Sequence, residues 1–177
     1  MRYLYQNQIG STMKESIRTK IFRILMNWYP MFFGTGGKVM FISADWRRVE
    51  LRLKLNIWTY NYVGTIFGGS QFAATDPFLM VMLIKILGND YIVWDKAGSV
   101  QFKKPGRGKL KLVFEYTDEE IARIKSEVAT HGKYEFTKGA HWLDQDGAVV
   151  SKVEKLVYVS TKAFDRERKK RREDSRT

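Results

Sequence analysis

Apolar and polar residues alternate most strictly between Arg48 and Leu55. There Val49, Leu51, Leu53 and Leu55 interleave with Arg48, Glu50, Arg52 and Lys54. A period of two marks a strand with one buried face. Leu110, Leu112, Phe114 and Tyr116 repeat the pattern, and strands are also predicted over 39–43, 91–102, 133–142 and 148–160. Asp144-Gln145-Asp146-Gly147 supplies a turn between the last two. Helical spacing appears at Ile17, Ile21, Ile24 and Trp28, with Thr12-Met13-Lys14-Glu15 as a capping box and Pro30 as the stop. This stripe is read as the face that covers the core, while Lys14, Arg18, Lys20 and Arg23 lie mostly elsewhere on the helix. The alternative is a basic amphipathic helix docked on membrane or nucleic acid. A second capping box, Thr117-Asp118-Glu119-Glu120, opens a helix through Ile121, Ile124 and Val128. One apolar helix dominates between the second and third strands. Short connections between the later strands favour an antiparallel sheet, hence an α+β fold in one domain.

Composition narrows the chemistry. The chain has 177 residues, 44% of them apolar, enough for one full core. It has no cysteine, so disulfides, thiolate metal sites and a cysteine nucleophile are excluded. His131 and His141 are the only histidines, so no histidine-rich metal centre is expected. The longest apolar run, Pro77 to Leu87, is interrupted by Lys85 and is too short to span a bilayer. With no signal-like N-terminus, a soluble cytoplasmic protein is expected. The net charge is +12, of which residues 162–177 hold +4 from eight basic and four acidic residues. That tail reads as a frayed helix or a disordered end. The charge on the rest favours a polyanionic partner, such as nucleic acid, anionic lipid or a phosphorylated cofactor like coenzyme A. The expected organisation is an N-terminal helix and cover segment over 1–34, a main domain over 35–161 and the charged tail over 162–177.

The segment Asn61 to Leu87 carries the candidate chemistry. A polar loop with two adjacent glycines, Gly68-Gly69, runs into the apolar helix, and Asp76 sits where an apolar residue would be expected. Bare backbone N–H groups can be aimed at a ligand, and a carboxylate on an apolar element needs a partner or a task. Asp76-Pro77 also fits an ordinary helix start, with Asp as N-cap and Pro at the first position. On the other reading, Phe72, Ala73 and Ala74 extend the helix back to Gly68, with a kink at Pro77.

The spacing Asn61-x-x-Gly64-x-x-Phe67-Gly68-Gly69-x-x-Phe72-x-x-x-Asp76 resembles the signature of hotdog-fold acyl-CoA thioesterases, in particular the phenylacetyl-CoA thioesterase branch. Val100-Gln101-Phe102-Lys103-Lys104-Pro105-Gly106 resembles that branch's later strand. The resemblance covers roughly residues 35 to 160 and is closest to a poorly characterised subgroup with an extra N-terminal helix. It implies an antiparallel sheet wrapped around a long central helix, and hydrolysis of an acyl-CoA thioester. The Gly68 N–H would then bind the thioester oxygen, and Asp76 would attack or activate water. Asn61 would orient the water or the loop. Gly69 and Phe67 would border the substrate, with Asp95 and Ser99 on a strand facing it. An acidic Asp95 would raise the pKa of Asp76, unless it pairs with Lys96 or Arg107. Lys103, Lys104 and Arg107, with Lys109 beside them, would meet the phosphates of coenzyme A. No separate cofactor is implied. Phe67 stands where the family pattern usually has histidine, which permits weak or lost activity.

Eight residues at ~1.5 Å rise separate Gly68 from Asp76 by roughly 12 Å along a helix. One thioester cannot easily touch both on one chain, so a homodimer with composite sites, or a dimer of dimers, is expected. Two other readings stand beside the hydrolase. The first is a non-catalytic acyl-CoA-binding hotdog protein, a sensor or carrier. The second is a nucleic-acid-binding module, which the charge favours but no recognition motif accompanies. Trp28, Tyr29, Phe32, Phe33, Phe41, Trp46 and Trp58 are candidates for an acyl tunnel, with core or oligomer interface as the alternative.

Overall fold

The strands form where the alternation places them. They are β1 (Lys38–Ile42), β2 (Arg48–Lys54), β3 (Tyr91–Phe102), β4 (Lys109–Glu115), β5 (Lys133–Leu143) and β6 (Val149–Thr161). The computed structural model describes residues 14–174. All six strands join one sheet in the order β1-β2-β4-β5-β6-β3, with every neighbouring pair antiparallel. Register follows the apolar rows. Val49 faces Phe114, Leu51 faces Leu112 and Leu53 faces Leu110, and all six side chains are buried. Burying each such side chain is worth roughly 1.5–3 kcal/mol, and a one-residue slip would expose the whole row.

The sheet closes on a broken central helix. Its parts are α3 (Gly68–Ala73) and α4 (Phe78–Leu87), joined by a turn. Pro77 supplies no N–H to a helical ladder, which is why the run breaks there. The turn satisfies its own backbone: Asp76 N–H donates to Ala73 O, and Phe78 N–H to Thr75 O. Asp76 caps neither part. The residue flanking α4 is Pro77, and no side chain bonds the free N–H groups of that turn. The helix therefore does run back to Gly68 with a break at Pro77, and the Asp76-capped start is not formed. Phe78, Leu79, Met82 and Leu83 are buried, and α4 packs on β3 and β6. By length and composition the stretch Gly68–Leu87 could cross a bilayer, but these buried residues make it a core element.

The first helix corrects two expectations. The helix α1 (Ile17–Trp28) starts at a capping box formed by Ser16 and Thr19. Thr12 lies outside the described residues, and Glu15 precedes the helix, where its carboxylate binds Arg23. Trp28 ends the helix just before Pro30, which opens the short α2 (Pro30–Phe33). The stripe Ile17, Ile21, Ile24 and Trp28 does not cover the core and is exposed. The opposite side packs inward, with Thr19 buried and Phe22 and Met26 against the core. Both sides of α1 are apolar, so periodicity alone could not say which one the sheet would take.

The helix α5 (Asp118–His131) begins at the predicted box, with Thr117 accepting from Glu120 N–H, and buries Ile121, Ile124 and Val128. The charged tail forms α6 (Lys162–Asp174).

Candidate active site

The loop ahead of α3 is built by hydrogen bonds that its own sequence supplies. Asn61 accepts from Thr65 N–H at 2.9 Å and donates from Nδ2 to Thr65 Oγ1 at 3.0 Å. Gly64, at φ 78, makes the reversal between them. Ile66 N–H then donates to Gly106 O, and Phe67 N–H to Thr59 O. The first of these stitches the loop to the Lys103–Arg107 turn, and the second closes the loop on itself. Buried Gln71 anchors the first turn of α3 to the sheet. It accepts from Ser151 Oγ at 2.6 Å and donates to Ile66 O, while Trp142 Nε1 donates to its carbonyl.

Between the loop and the turn lies a cleft of about 650 Å³. Asn61, Phe67 and Gly68 line one side, and Lys103, Lys104 and Arg107 line the other. The three cations are exposed, with Lys104 bound to Asp144 and Lys103 to Gln101. At the helix start, N–H groups have no preceding turn to bond to, so they point outward as donors. Two aromatic rings crowd this start. A methyl on Gly68 would lie 2.6 Å from the Phe102 ring, and one on Gly69 would lie 2.2 Å from Phe67. The glycines are therefore needed for close packing as well as for backbone access.

Asp76, Asp95 and Ser99 do not line this cleft. Ser99 is exposed on β3. The two carboxylates meet instead at Lys155, whose ammonium lies 3.4 Å from Asp95 and 3.8 Å from Asp76. The Lys155 side chain is only 6% exposed, Asp95 is 15% exposed and Asp76 is 60% exposed. Lys155 also sits 4.8 Å above the Phe72 ring centre. A bulge in β3 between Asp95 and Ala97 sets Gly98 opposite Lys155. A side chain there would collide with Phe72 and with the lysine stem, at 2.8 and 2.9 Å. Burial pushes the Asp95 carboxyl above the ordinary aspartate range, Lys155 pulls it back, and Asp76 adds a smaller upward push. Asp95 Oδ1 is buried without a hydrogen bond.

The expected partners of Asp95 are thus corrected. Lys96 binds Glu135 and Arg107 lines the cleft, so Lys155 holds Asp95. Sequence reasoning missed Lys155, although a signal existed. It interrupts the row Val153, Val157, Val159 at the same period of two, on the face those valines bury. Of the tunnel candidates, Phe32 is core, Trp46 packs edge-on to Phe22, and Trp28, Tyr29, Phe33 and Trp58 are exposed. Among the described residues no cluster of His, Asp and Glu could hold a metal.

Comparison with known proteins places this geometry. A family model described as a domain of unknown function, DUF4442, matches residues 18–159. No curated protein shows significant similarity to the chain. Among solved structures, a Pseudomonas aeruginosa protein of unknown function, described as a probable thioesterase, is 18% identical. The match covers 83% of this chain and 98% of that one, with a TM-score of 0.71. A Chlorobaculum tepidum protein of unknown function is 17% identical over 80% of this chain and 93% of that one, with a TM-score of 0.62. A variant of a hypothetical thioesterase protein from Streptococcus pneumoniae is 16% identical over 71% and 92%, with a TM-score of 0.51. At such identities the likeness establishes the fold, a hotdog.

Proposed function

This chain belongs to the DUF4442 family, and we propose that it hydrolyses an acyl thioester of coenzyme A. The observation that carries the reading is the cleft that unites the Gly68 helix start with Lys103, Lys104 and Arg107. A thioester carbonyl at Gly68 meets a backbone donor, and the cations lie where phosphates of the carrier would extend. Solved structures of the same fold are described as thioesterases, which supports the reading.

The reaction requires a nucleophile opposite the carbonyl. Asp76 takes a proton from water as the water oxygen bonds to the carbonyl carbon. The Gly68 N–H donates to the oxyanion as its charge develops. The tetrahedral intermediate collapses, the carbon–sulfur bond breaks, and the thiolate leaves to take up the proton. A direct attack by Asp76 would give an anhydride that water then cleaves. Lys155 holds the Asp76 carboxylate in place in either route. On one chain the carboxylate lies outside the cleft, so the reading requires a dimer in which Asp76 of one copy completes the Gly68 cleft of the other.

A second reading, acyl-CoA binding without turnover, is favoured by one observation. Phe67 and Phe102 crowd the glycine pair from both sides. Thiol release from short, long and aromatic acyl-CoAs separates the two. Wild-type turnover that falls at least about a hundredfold in Asp76→Ala supports hydrolysis, since a general base contributes of that order. Tight acyl-CoA retention without thiol release supports the binder. Equal rates in both proteins would remove Asp76 from the mechanism.

A further inference from the structure

Among the described residues the outward stripe of α1 has no partner. Ile17 is 80% exposed and Trp28 76%, and Ile21, Ile24 and Leu25 lie exposed on the same side. Tyr29, Met31 and Phe33 continue it through α2, with the Trp28 and Phe33 rings stacked at 6.4 Å. The surface does not end there. Gly36, at φ 74, lets Thr59 approach to 2.2 Å of the place a methyl would occupy. That contact sets the loop bearing Ile57, Trp58, Tyr60 and Tyr62, all exposed, beside the end of α2. The next residue, Val63, lines the cleft. Exposed apolar surface of this extent marks an interaction site.

Charge selects the occupant. Between residues 14 and 42 the only acidic residue is Glu15, and both of its oxygens are held by Arg23. Lys14, Arg18, Lys20 and Lys38 are exposed around the stripe. A second copy docked by a two-fold axis would bring this cation-rich face against itself, with no free carboxylate between residues 14 and 42 of either copy. Residues 1–13 contain no acidic residue either. An anionic bilayer surface satisfies both halves of the pattern. Aromatic and branched side chains enter the headgroup boundary while the flanking cations meet lipid phosphates.

We propose that α1 and α2 dock this protein on the surface of a bilayer containing anionic lipid, with the 57–63 loop leading from that surface to the cleft. The proposal does not rest on thioester hydrolysis and is tested without it. The full chain is floated with vesicles of phosphatidylcholine alone and of phosphatidylcholine mixed with phosphatidylglycerol. It should float with the mixed vesicles, and less so as salt is added. Ile21→Ser combined with Leu25→Ser should lower partitioning by about tenfold or more, since two apolar side chains are lost from the interface. Arg18→Ser combined with Lys20→Ser should lower it roughly fivefold per cation on mixed vesicles. All four side chains are exposed, and unchanged melting temperatures would confirm intact folds. Failure of the wild type to float overturns the proposal, as does equal flotation of the Ile21/Leu25 variant. A loss of oligomer size in that variant, with no flotation by the wild type, would instead assign the stripe to a second copy.

Discussion

A lysine in the buried row of a strand is costly unless its ammonium meets carboxylates, and Lys155 meets two. Removing it should strand Asp95, whose Oδ1 is buried and already lacks a hydrogen bond. Lys155→Met is expected to destabilise by about 1–3 kcal/mol, measured by urea unfolding. Adding Asp95→Asn should recover part of that loss, because an amide carries no charge to strand. The sign of the pH effect follows from the raised carboxyl pKa. The folded state holds the Asp95 proton more tightly than the unfolded chain does. Its contribution to stability is therefore full below the ordinary aspartate range and is lost as pH rises through the raised value. Melting temperature followed upward from that range should fall less steeply in Asp95→Asn than in the wild type. Asp95 was legible as a candidate because a carboxylate follows Tyr91-Ile92-Val93-Trp94. Its partner lies 60 positions later in the chain, a pairing that only the β3–β6 register creates.

Elements differ in how far their own residues determine them. The helix α5 follows from the chain directly: a cap satisfies its first N–H groups, and one apolar stripe leaves one face to bury. The helix α1 has two apolar sides, and contact with β1 chose Thr19, Phe22 and Met26 over the longer stripe. Along the central helix the glycine pair and Asp76 were visible in sequence, whereas the anchor Gln71 was not. Nothing local marks a glutamine that reaches Ser151 across the fold. Gln71→Ala should cost about 1–3 kcal/mol, because the Ser151 hydroxyl loses its acceptor in a buried place. A thermal melt checks this. Gly98→Ala should also destabilise, by roughly 1–3 kcal/mol from overpacking against Phe72 and Lys155, read by the same melt.

For the whole molecule, the cleft and the Asp76–Lys155–Asp95 cluster are separate features of one chain. If two copies complete each other's sites, defects in different halves should complement. Gly68→Pro removes the backbone donor at the first helical position, where proline loses no helical bond, with Phe102→Ala added to clear the ring that a side chain there would meet, and Asp76→Ala removes the carboxylate. Each alone should be inactive, while the co-expressed pair should show activity that neither has, through one intact composite site per mixed dimer. Absence of activity in verified mixed dimers would count against a shared site.

The sequence by itself determined the six strands, their antiparallel pairing and the glycine-led helix start. These depend on period-two burial, capping and turn residues, which act over a few positions. Tertiary structure decided which side of α1 faces water, the order of the strands in the sheet, and that Lys155 joins two acids. Those outcomes depend on what lies opposite a residue in space. A hydrophobic period shows that a face can be buried, but the neighbour that buries it is chosen only when the sheet closes.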